Sequence, residues 1–246
     1  MEQDIVFFIL VGFIAQAIDG ALGMAYGVSS MSMLLTIGIP PAAASASVHA
    51  SKVFTNLASG ISHWSFGNVD WALVKKLCLP GMIGGVIGAL LLTTISEEVI
   101  RPFVSVYLIV MAIIIFRKVV LKKGNTEAHT HLFPLGLAGG FFDALGGGGW
   151  GPIVTSTLLA RGNNPRFTVG SVNTAEFFVA LIQSATFILT IGLVHWQIIL
   201  GLIIGGVISA PMAAMLVKKI PAQFLMNIIG IIIAFLGLRM IYLTLR

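Results

Sequence analysis

Long apolar runs dominate this chain, and they decide which folds are open to it. Only 9% of its 246 residues are charged, whereas a soluble domain carries about 25%. A surface with so few charged groups cannot face water, which excludes an ordinary soluble globular protein. Lipid admits only helices and closed barrels, and the runs lack the alternation of barrel strands. The sequence therefore predicts an all-α polytopic membrane protein.

An internal repeat organises the chain. A shift of 124 residues places a set of residues on identical ones: Gly12 on Gly136, Asp19 on Asp143, Gly23 on Gly147, Gly27 on Gly151, Gly38 on Gly162, Pro41 on Pro165 and Ser47 on Ser171. After one inserted residue, Gly67 and Trp71 meet Gly192 and Trp196. We therefore expect two repeats, residues 1–123 and 131–246, joined by a polar linker at 124–130.

Each repeat begins with a glycine-rich break between two short apolar stretches, and three longer apolar stretches follow. In the first repeat the short stretches are 5–18 and 28–37, and the long ones are 42–66, 71–95 and 98–121. Their counterparts are 132–142 and 152–161, then 167–191, 196–217 and 221–243. As a helix, 5–18 would be about 21 Å long, too short for a hydrocarbon core of about 30 Å.

The two short stretches of a repeat form either one broken span or a re-entrant hairpin. With a broken span, the basic loops divide between the two sides of the membrane. With a hairpin, almost all basic residues except Arg101, Arg239 and Arg246 fall on one side, as the positive-inside rule prefers. The hairpin reverses the chain, so the repeats have inverted topology, with both termini periplasmic and the 117–131 loop cytoplasmic.

Interrupted segments at matching positions of two inverted repeats are typical of secondary transporters. The alternative is a structural gene duplication without transport. The second break contains Gly147, Gly148 and Gly149, and a short predicted helix follows it. The N–H groups of these glycines, together with the N-terminus of that helix, are candidates to bind an anion. The other interpretation is that these glycines only permit close helix crossing. A formal G-x-G-x-x-G at Gly146, Gly148 and Gly151 lacks the βαβ context of a dinucleotide site, and no Walker lysine follows the glycines, so we expect no cofactor.

Asp19 and Asp143 occupy equivalent positions at the entrance of each break. Ionisable groups inside a membrane are functional candidates by default, so either carboxylate is a candidate for a coupling proton or cation. The simpler interpretation, which we favour, is that each accepts the N–H groups of its own break.

A polar stripe follows one face of the predicted helix 42–66. It consists of Ser45, His49, Lys52, Asn56, Ser59 and His63, spaced by three or four residues. Such a stripe must face protein or water, because polar groups in lipid are costly. The matching helix carries Glu176 opposite Lys52 and Asn173 opposite His49. Lys52 is then a counter-ion for an anionic substrate, with His49, Asn56 and Asn173 as hydrogen-bonding neighbours.

Glu176 has two interpretations in this arrangement. It is a protonatable coupling group, or it forms a structural ion pair with Lys52 that ties the repeats together. Both hold if they belong to different conformations. The small-residue motifs, such as Gly81 with Gly85 and Gly201 with Gly205, fit close packing within one protomer or in a homodimer. His129 and His131 alone make a poor metal site, so no metal is expected.

The paired breaks IAQAIDGALGMAYG and LAGGFFDALGGGGWG, with the elements GNVDW and GLVHW, carry a family resemblance. The chain resembles the TauE/SafE family of sulfite and organosulfonate exporters, also called the four-toluene sulfonate uptake permease family. The resemblance covers nearly the full length. It implies transport of small sulfur-containing anions, such as sulfite, sulfoacetate or related organosulfonates, across a bacterial inner membrane.

The sequence thus favours a secondary transporter that exports such anions by alternating access, with membrane lipid around it and no nucleic acid as partner. A second interpretation keeps the scaffold and makes the substrate a cation, held by Asp19, Asp143 and Glu176. A third is an intramembrane enzyme, but the chain lacks H-E-x-x-H and G-x-S-x-G motifs. The exact substrate, the direction of transport and the coupling ion stay open at this point.

Overall fold

The fold is helical throughout the part of the chain that the structure describes. The computed structural model describes residues 5–22, 24, 26–96, 98–100, 102–104, 106–107, 109–110, 113, 131–161, 163–193, 195–216 and 231. The helices are α1 (Ile5–Leu22), α2 (Tyr26–Thr36), α3 (Pro41–Ser65), α4 (Trp71–Thr94), α5 (Leu132–Gly146), α6 (Ser156–Ala160, preceded by a π-helical turn at Gly151–Thr155), α7 (Pro165–Thr190) and α8 (Trp196–Leu216). Most of the predicted stretches 98–121 and 221–243, and the linker 124–130, lie outside the described residues.

Several of these helices are apolar enough to lie in lipid. By length and composition, Trp71–Thr94 and Arg166–Thr190 are long enough to cross a membrane, and three shorter helices are also apolar. On α4 the exposed side chains Leu79, Ile83, Ile87 and Leu90 recur every three or four residues, which makes one outward apolar stripe. The all-helical architecture and this outward stripe agree with a polytopic membrane protein.

The first helix of each break runs further than the sequence predicts. We expected ends at residues 18 and 142, but α1 ends at Leu22 and α5 at Gly146, so both aspartates lie in a last helical turn. In α5 the reason is Gly147, whose positive φ of 69° ends the helix in the left-handed conformation that glycine adopts without strain. Asp19 and Asp143 therefore belong to the C-terminal turns of helices and not to extended backbone.

Glycines set the closest helix contacts. The α4–α5 pair meets at Gly84 and Gly140, where an added Cβ would strike the backbone of Leu137 and Gly81 respectively. The α1–α8 pair meets in the same way at Gly12, against the backbone of Leu202. These contacts fit the interpretation of the small-residue motifs as close packing within one protomer. They also join the beginning of each predicted repeat to the fourth helix of the other.

The two breaks contact each other inside the protein. Gly27, at the start of α2, lies against the backbone of Gly147 and Gly148, and Gly148 in turn faces the backbone nitrogen of Val28. A side chain at Gly27 or Gly148 would separate these segments. The irregular backbone is thus buried in protein, which is where a membrane protein tolerates it.

A polar contact fixes the turn between α3 and α4 to the start of α7. Arg166 donates to the backbone oxygen of Phe66 at 2.7 Å and to the side-chain oxygen of Asn68. The N–H of Asp70 donates to Ser171 Oγ at 2.7 Å. These bonds hold α3 and α7 side by side, and those two helices supply most of the buried polar residues.

We predict that Gly84→Ala destabilises the protein by about 1–3 kcal/mol, because the new methyl group must push α5 away from α4. The measurement is the midpoint of thermal unfolding in detergent. Gly60→Ala is the matched control: it is also helical, but its added Cβ meets Thr174 only at an ordinary 3.5 Å. Equal midpoints for both variants would contradict the packing account.

Candidate functional site

Lys52 lies at the centre of a buried charge cluster that joins three helices. Its Nζ lies 2.9 and 3.0 Å from the two carboxylate oxygens of Asp143 on α5. It also lies 2.6 Å from Glu176 Oε1 on α7. Lys52 is 1% exposed, and among the described residues it is the only buried lysine or arginine. The ion pair between Lys52 and Glu176 that the sequence offered as one interpretation is present, and Asp143 is a third member.

Asp143 is the most fully bonded side chain of the cluster. Besides Lys52, it accepts hydrogen bonds from the backbone N–H groups of Gly149 at 2.9 Å and Trp150 at 3.2 Å. Its Oδ2 also lies 3.1 Å from Nε2 of His49. Hydrogen bonds from backbone N–H groups and a cation to a carboxylate are charge-assisted, and they are stronger than those between neutral groups. Asp143 thus connects the second break to helix α3.

His49 is held on both sides of its ring. Its Nδ1 lies 2.8 Å from the backbone oxygen of Ser45 and 3.2 Å from the hydroxyl oxygen of the same residue. That hydroxyl donates to the backbone oxygen of Ala144 at 2.6 Å. The ring of Phe187 lies beside the imidazole, with centroids 5.8 Å apart. His49 is fully buried, so its orientation is set by Ser45, Asp143 and Phe187.

Asp19 is the counterpart of Asp143 but has fewer partners. Its Oδ1 accepts the N–H of Tyr26 at 3.1 Å, whereas its Oδ2 has no hydrogen-bond partner among the described residues. The Tyr26 hydroxyl donates to Ser51 Oγ at 3.0 Å, behind the break. Both aspartates therefore accept N–H groups of their own break, as the simpler interpretation of the sequence expected. Asp19 is 4% exposed and keeps one unused carboxylate oxygen.

Several buried amides near the charged side chains have unused hydrogen-bonding atoms. Both amide atoms of Asn56, one helical turn from Lys52, lack a partner among the described residues. Asn173 donates to Ser59 Oγ at 3.0 Å but leaves its own oxygen unpaired. Unpaired buried polar groups are costly, so each needs a functional or structural reason. The structure thus brings the polar stripe and its counterpart helix to one buried region, although His63 at the stripe's end is only half-buried.

The second break is tightly packed and partly bonded internally. The N–H of Gly149 is taken by Asp143, Gly147 packs against the side chain of Met31, and Gly148 packs against α2. The N–H of Gly149 is therefore not free for an anion in this conformation. Binding of a substrate by Gly147, Gly148 and Gly149 stays a prediction, and it requires the break to move.

Sequence reasoning missed the large aromatic side chain behind each break. Trp150 is fully buried, and its ring N–H donates to the backbone oxygen of Val172 at 3.1 Å. Tyr26 is buried at the corresponding position of the first break. The 124-residue shift aligns these two residues, and that signal was sufficient to find them. Among the described residues, no group of three or more His, Cys, Asp or Glu side chains is placed to hold a metal ion.

Comparison with known proteins relates the chain to membrane transporters. Residues 8–240 match the family described as sulfite exporter TauE/SafE. The chain is 42% identical over 238 residues to the probable membrane transporter protein YtnM of Bacillus subtilis (strain 168). That alignment covers 93% of this chain and 79% of the relative. No solved structure matches the chain.

We predict that Lys52→Met lowers the free energy of unfolding by about 3–5 kcal/mol, because it leaves two buried carboxylates without their cation. Denaturant unfolding in detergent measures this loss. Adding Glu176→Gln to Lys52→Met removes one of the unpaired charges, so the double variant should recover part of the stability. Strictly additive losses in this double-mutant cycle would show that Lys52 and Glu176 do not stabilise each other.

Proposed function

Since this chain belongs to the TauE/SafE sulfite exporter family of membrane transporters, we propose that it exports small sulfur-containing anions across the bacterial inner membrane. Sulfite comes from the family description, and sulfoacetate and related organosulfonates follow from the resemblance of the break motifs. Membership confirms that resemblance. It makes the chain a multi-pass transporter and not an enzyme, and a transporter implies a small substrate.

The observation that carries the proposal is the buried ammonium of Lys52 between two carboxylates. Oxygens of a sulfite or sulfonate group are chemically similar to those carboxylates, since both accept charge-assisted hydrogen bonds. A substrate anion can therefore take the place of Glu176, which pairs with Lys52 through Oε1. The unused amide atoms of Asn56 and Asn173, with His49, are the neighbours we assign to the same anion.

Matched contacts support a mechanism of alternating access between two inverted repeats. The register of the repeat relates each contact in one half to one in the other. Gly12 faces Leu202, and the equivalent Gly136 faces Leu77. Asp19 accepts a hydrogen bond from Tyr26, and Asp143 accepts one from Trp150. Tyr26 lies near Gly206, and Trp150 lies near Gly81. Such reciprocal packing is what two similar units related by a two-fold axis produce.

The proposed topology has repeats at 1–123 and 131–246, each with a re-entrant hairpin and three transmembrane helices. It places the linker 124–130 in the cytoplasm and both termini in the periplasm. Because Lys52 belongs to the first repeat, and Asp143 and Glu176 to the second, their ion pairs hold the repeats together in the conformation described. Exchange of a carboxylate for substrate would loosen them. Asp19, Asp143 and Glu176 are the proposed coupling groups, and a homodimer in lipid is the proposed assembly.

A specific observation favours a cation as the second candidate substrate. In the part of the chain that the structure describes, three buried carboxylates, those of Asp19, Asp143 and Glu176, accompany one buried ammonium, that of Lys52, and one oxygen of Asp19 has no partner there. Excess negative charge in a low-dielectric interior favours a bound cation or proton. The cation candidate uses the same scaffold and differs in the transported species.

We predict that purified protein in liposomes moves sulfite or sulfoacetate saturably, and that Lys52→Ala raises the half-saturating concentration by about 30-fold, since losing one partner of a buried charge pair costs roughly 2 kcal/mol or more. Lys76→Ala, an exposed lysine on α4, is the control and should leave flux unchanged. Unaltered flux in Lys52→Ala would exclude its counter-ion role. Saturable cation uptake without anion movement would select the second candidate.

The topology makes a separate prediction. With Cys78→Ser as background, Asn125→Cys in the linker should react with a membrane-impermeant thiol reagent only after the cytoplasmic side of the membrane is opened to it. Intact cells and inverted vesicles provide the two sides. Labelling of Asn125→Cys in intact cells would contradict the inverted-repeat topology as proposed.

A further inference from the structure

Both ring nitrogens of His49 face hydrogen-bond acceptors. Nδ1 lies 2.8 Å from the backbone oxygen of Ser45, which accepts and cannot donate. The Ser45 hydroxyl, also near Nδ1, uses its only proton on the backbone oxygen of Ala144. Nδ1 must therefore carry a hydrogen, because no neighbour offers one to it.

The other ring nitrogen has the same requirement. Nε2 lies 3.1 Å from Asp143 Oδ2, and that carboxylate already accepts from Lys52, Gly149 and Trp150. A neutral imidazole has one N–H, which Nδ1 uses. Without a further proton, the lone pair of Nε2 would point at a carboxylate oxygen and repel it. The geometry thus requires one additional proton between His49 Nε2 and Asp143 Oδ2.

From this geometry we propose that the His49–Asp143 pair is the site of a transported proton, and that this proton moves together with the anion. The proposal rests on the proposed function, since a coupled proton needs a transported partner. Loading the pair forms a charge-assisted bond between α3 and α5, which belong to different proposed repeats. Loss of the proton turns that bond into a repulsion between the same two atoms, so α3 and α5 separate there.

The charges around the pair explain why proton and anion bind together. Lys52 on α3 shares the Asp143 carboxylate, Glu176 on α7 contacts Lys52, and Asp19 on α1 lies within electrostatic range of both Lys52 and Asp143. The other side chains near the pair are uncharged. They are Tyr107, which also faces Asp143, Tyr26 on α2 and Phe187 on α7. The described residues of α8 include no charged side chain. A proton on His49 leaves two cations against three carboxylates, instead of one against three.

An incoming anion adds a further negative charge to this interior, so it binds more favourably when the proton is present. By reciprocity, bound anion favours bound proton. Net export of the anion then occurs when its outward concentration gradient exceeds the inward proton gradient that opposes it. A transporter built this way releases anions that have accumulated in the cell, and its net direction reverses when their level falls below that point.

The proton site is tested without any transport measurement by nitrogen NMR of His49. Replacing the other four histidines, His63, His129, His131 and His195, with Gln leaves His49 as the single histidine. From the two acceptors that face the ring, we expect hydrogen on both ring nitrogens at neutral pH. A neutral ring at neutral pH, with hydrogen on one nitrogen only, would overturn the proposal. Of these four, the structure describes His63, His131 and His195, which are all at least partly exposed, unlike the buried charge cluster.

Coupling is tested in liposomes by the number of protons moved per anion, measured with an internal pH dye and sulfoacetate, whose charge stays constant near neutral pH. The wild type should acidify the receiving side as sulfoacetate enters it. In His49→Gln, the sulfoacetate that still moves should carry no proton, whereas His63→Gln should keep the wild-type ratio. A wild-type ratio in His49→Gln would overturn the coupling role. Absence of any anion flux in the wild type would refute the proposed function instead, and the NMR result would stand independently.

Discussion

The ammonium of Lys52, held by Asp143 and Glu176 inside an apolar protein, is the interaction on which the rest of the structure depends. A charge in a low-dielectric interior is tolerated only when it is paired and hydrogen-bonded. Three helices that are distant in sequence must therefore meet at this point. Their meeting places the two breaks against each other and buries the polar stripe of α3. In the proposed mechanism, an anion or a proton rearranges this cluster.

The breaks and the cluster form one unit, because Asp143 belongs to both. Its carboxylate bonds Lys52 and also accepts the N–H groups of Gly149 and Trp150. A change in its partners therefore reaches the backbone of the second break directly. Asp19 also accepts an N–H of its own break but has no ion-pair partner among the described residues, so the two breaks differ in charge. The charge also differs at a second pair of equivalent positions, since the first predicted repeat has Lys52 where the second has Glu176.

Much of this arrangement could be predicted from local patterns. The apolar runs predicted the membrane class, the spacing of three and four predicted the buried face containing His49 and Lys52, and the repeat register paired Lys52 with Glu176. The contact between Lys52 and Asp143 could not be predicted, since 91 residues separate them and only tertiary packing joins them. The use of the Gly149 N–H by Asp143 agrees with the interpretation that the sequence favoured. The extent of α5 was missed, because it depends on where Gly147 turns.

The central claim is that a sulfur-containing anion replaces a carboxylate on Lys52. An experimental structure of the protein in lipid nanodiscs with sulfoacetate tests this most directly. The account predicts anion density within hydrogen-bond distance of Lys52 Nζ, with Glu176 turned away and His49 still bonded to Asp143. Density for the anion elsewhere, with Lys52 still bonded to both Asp143 and Glu176, would contradict it.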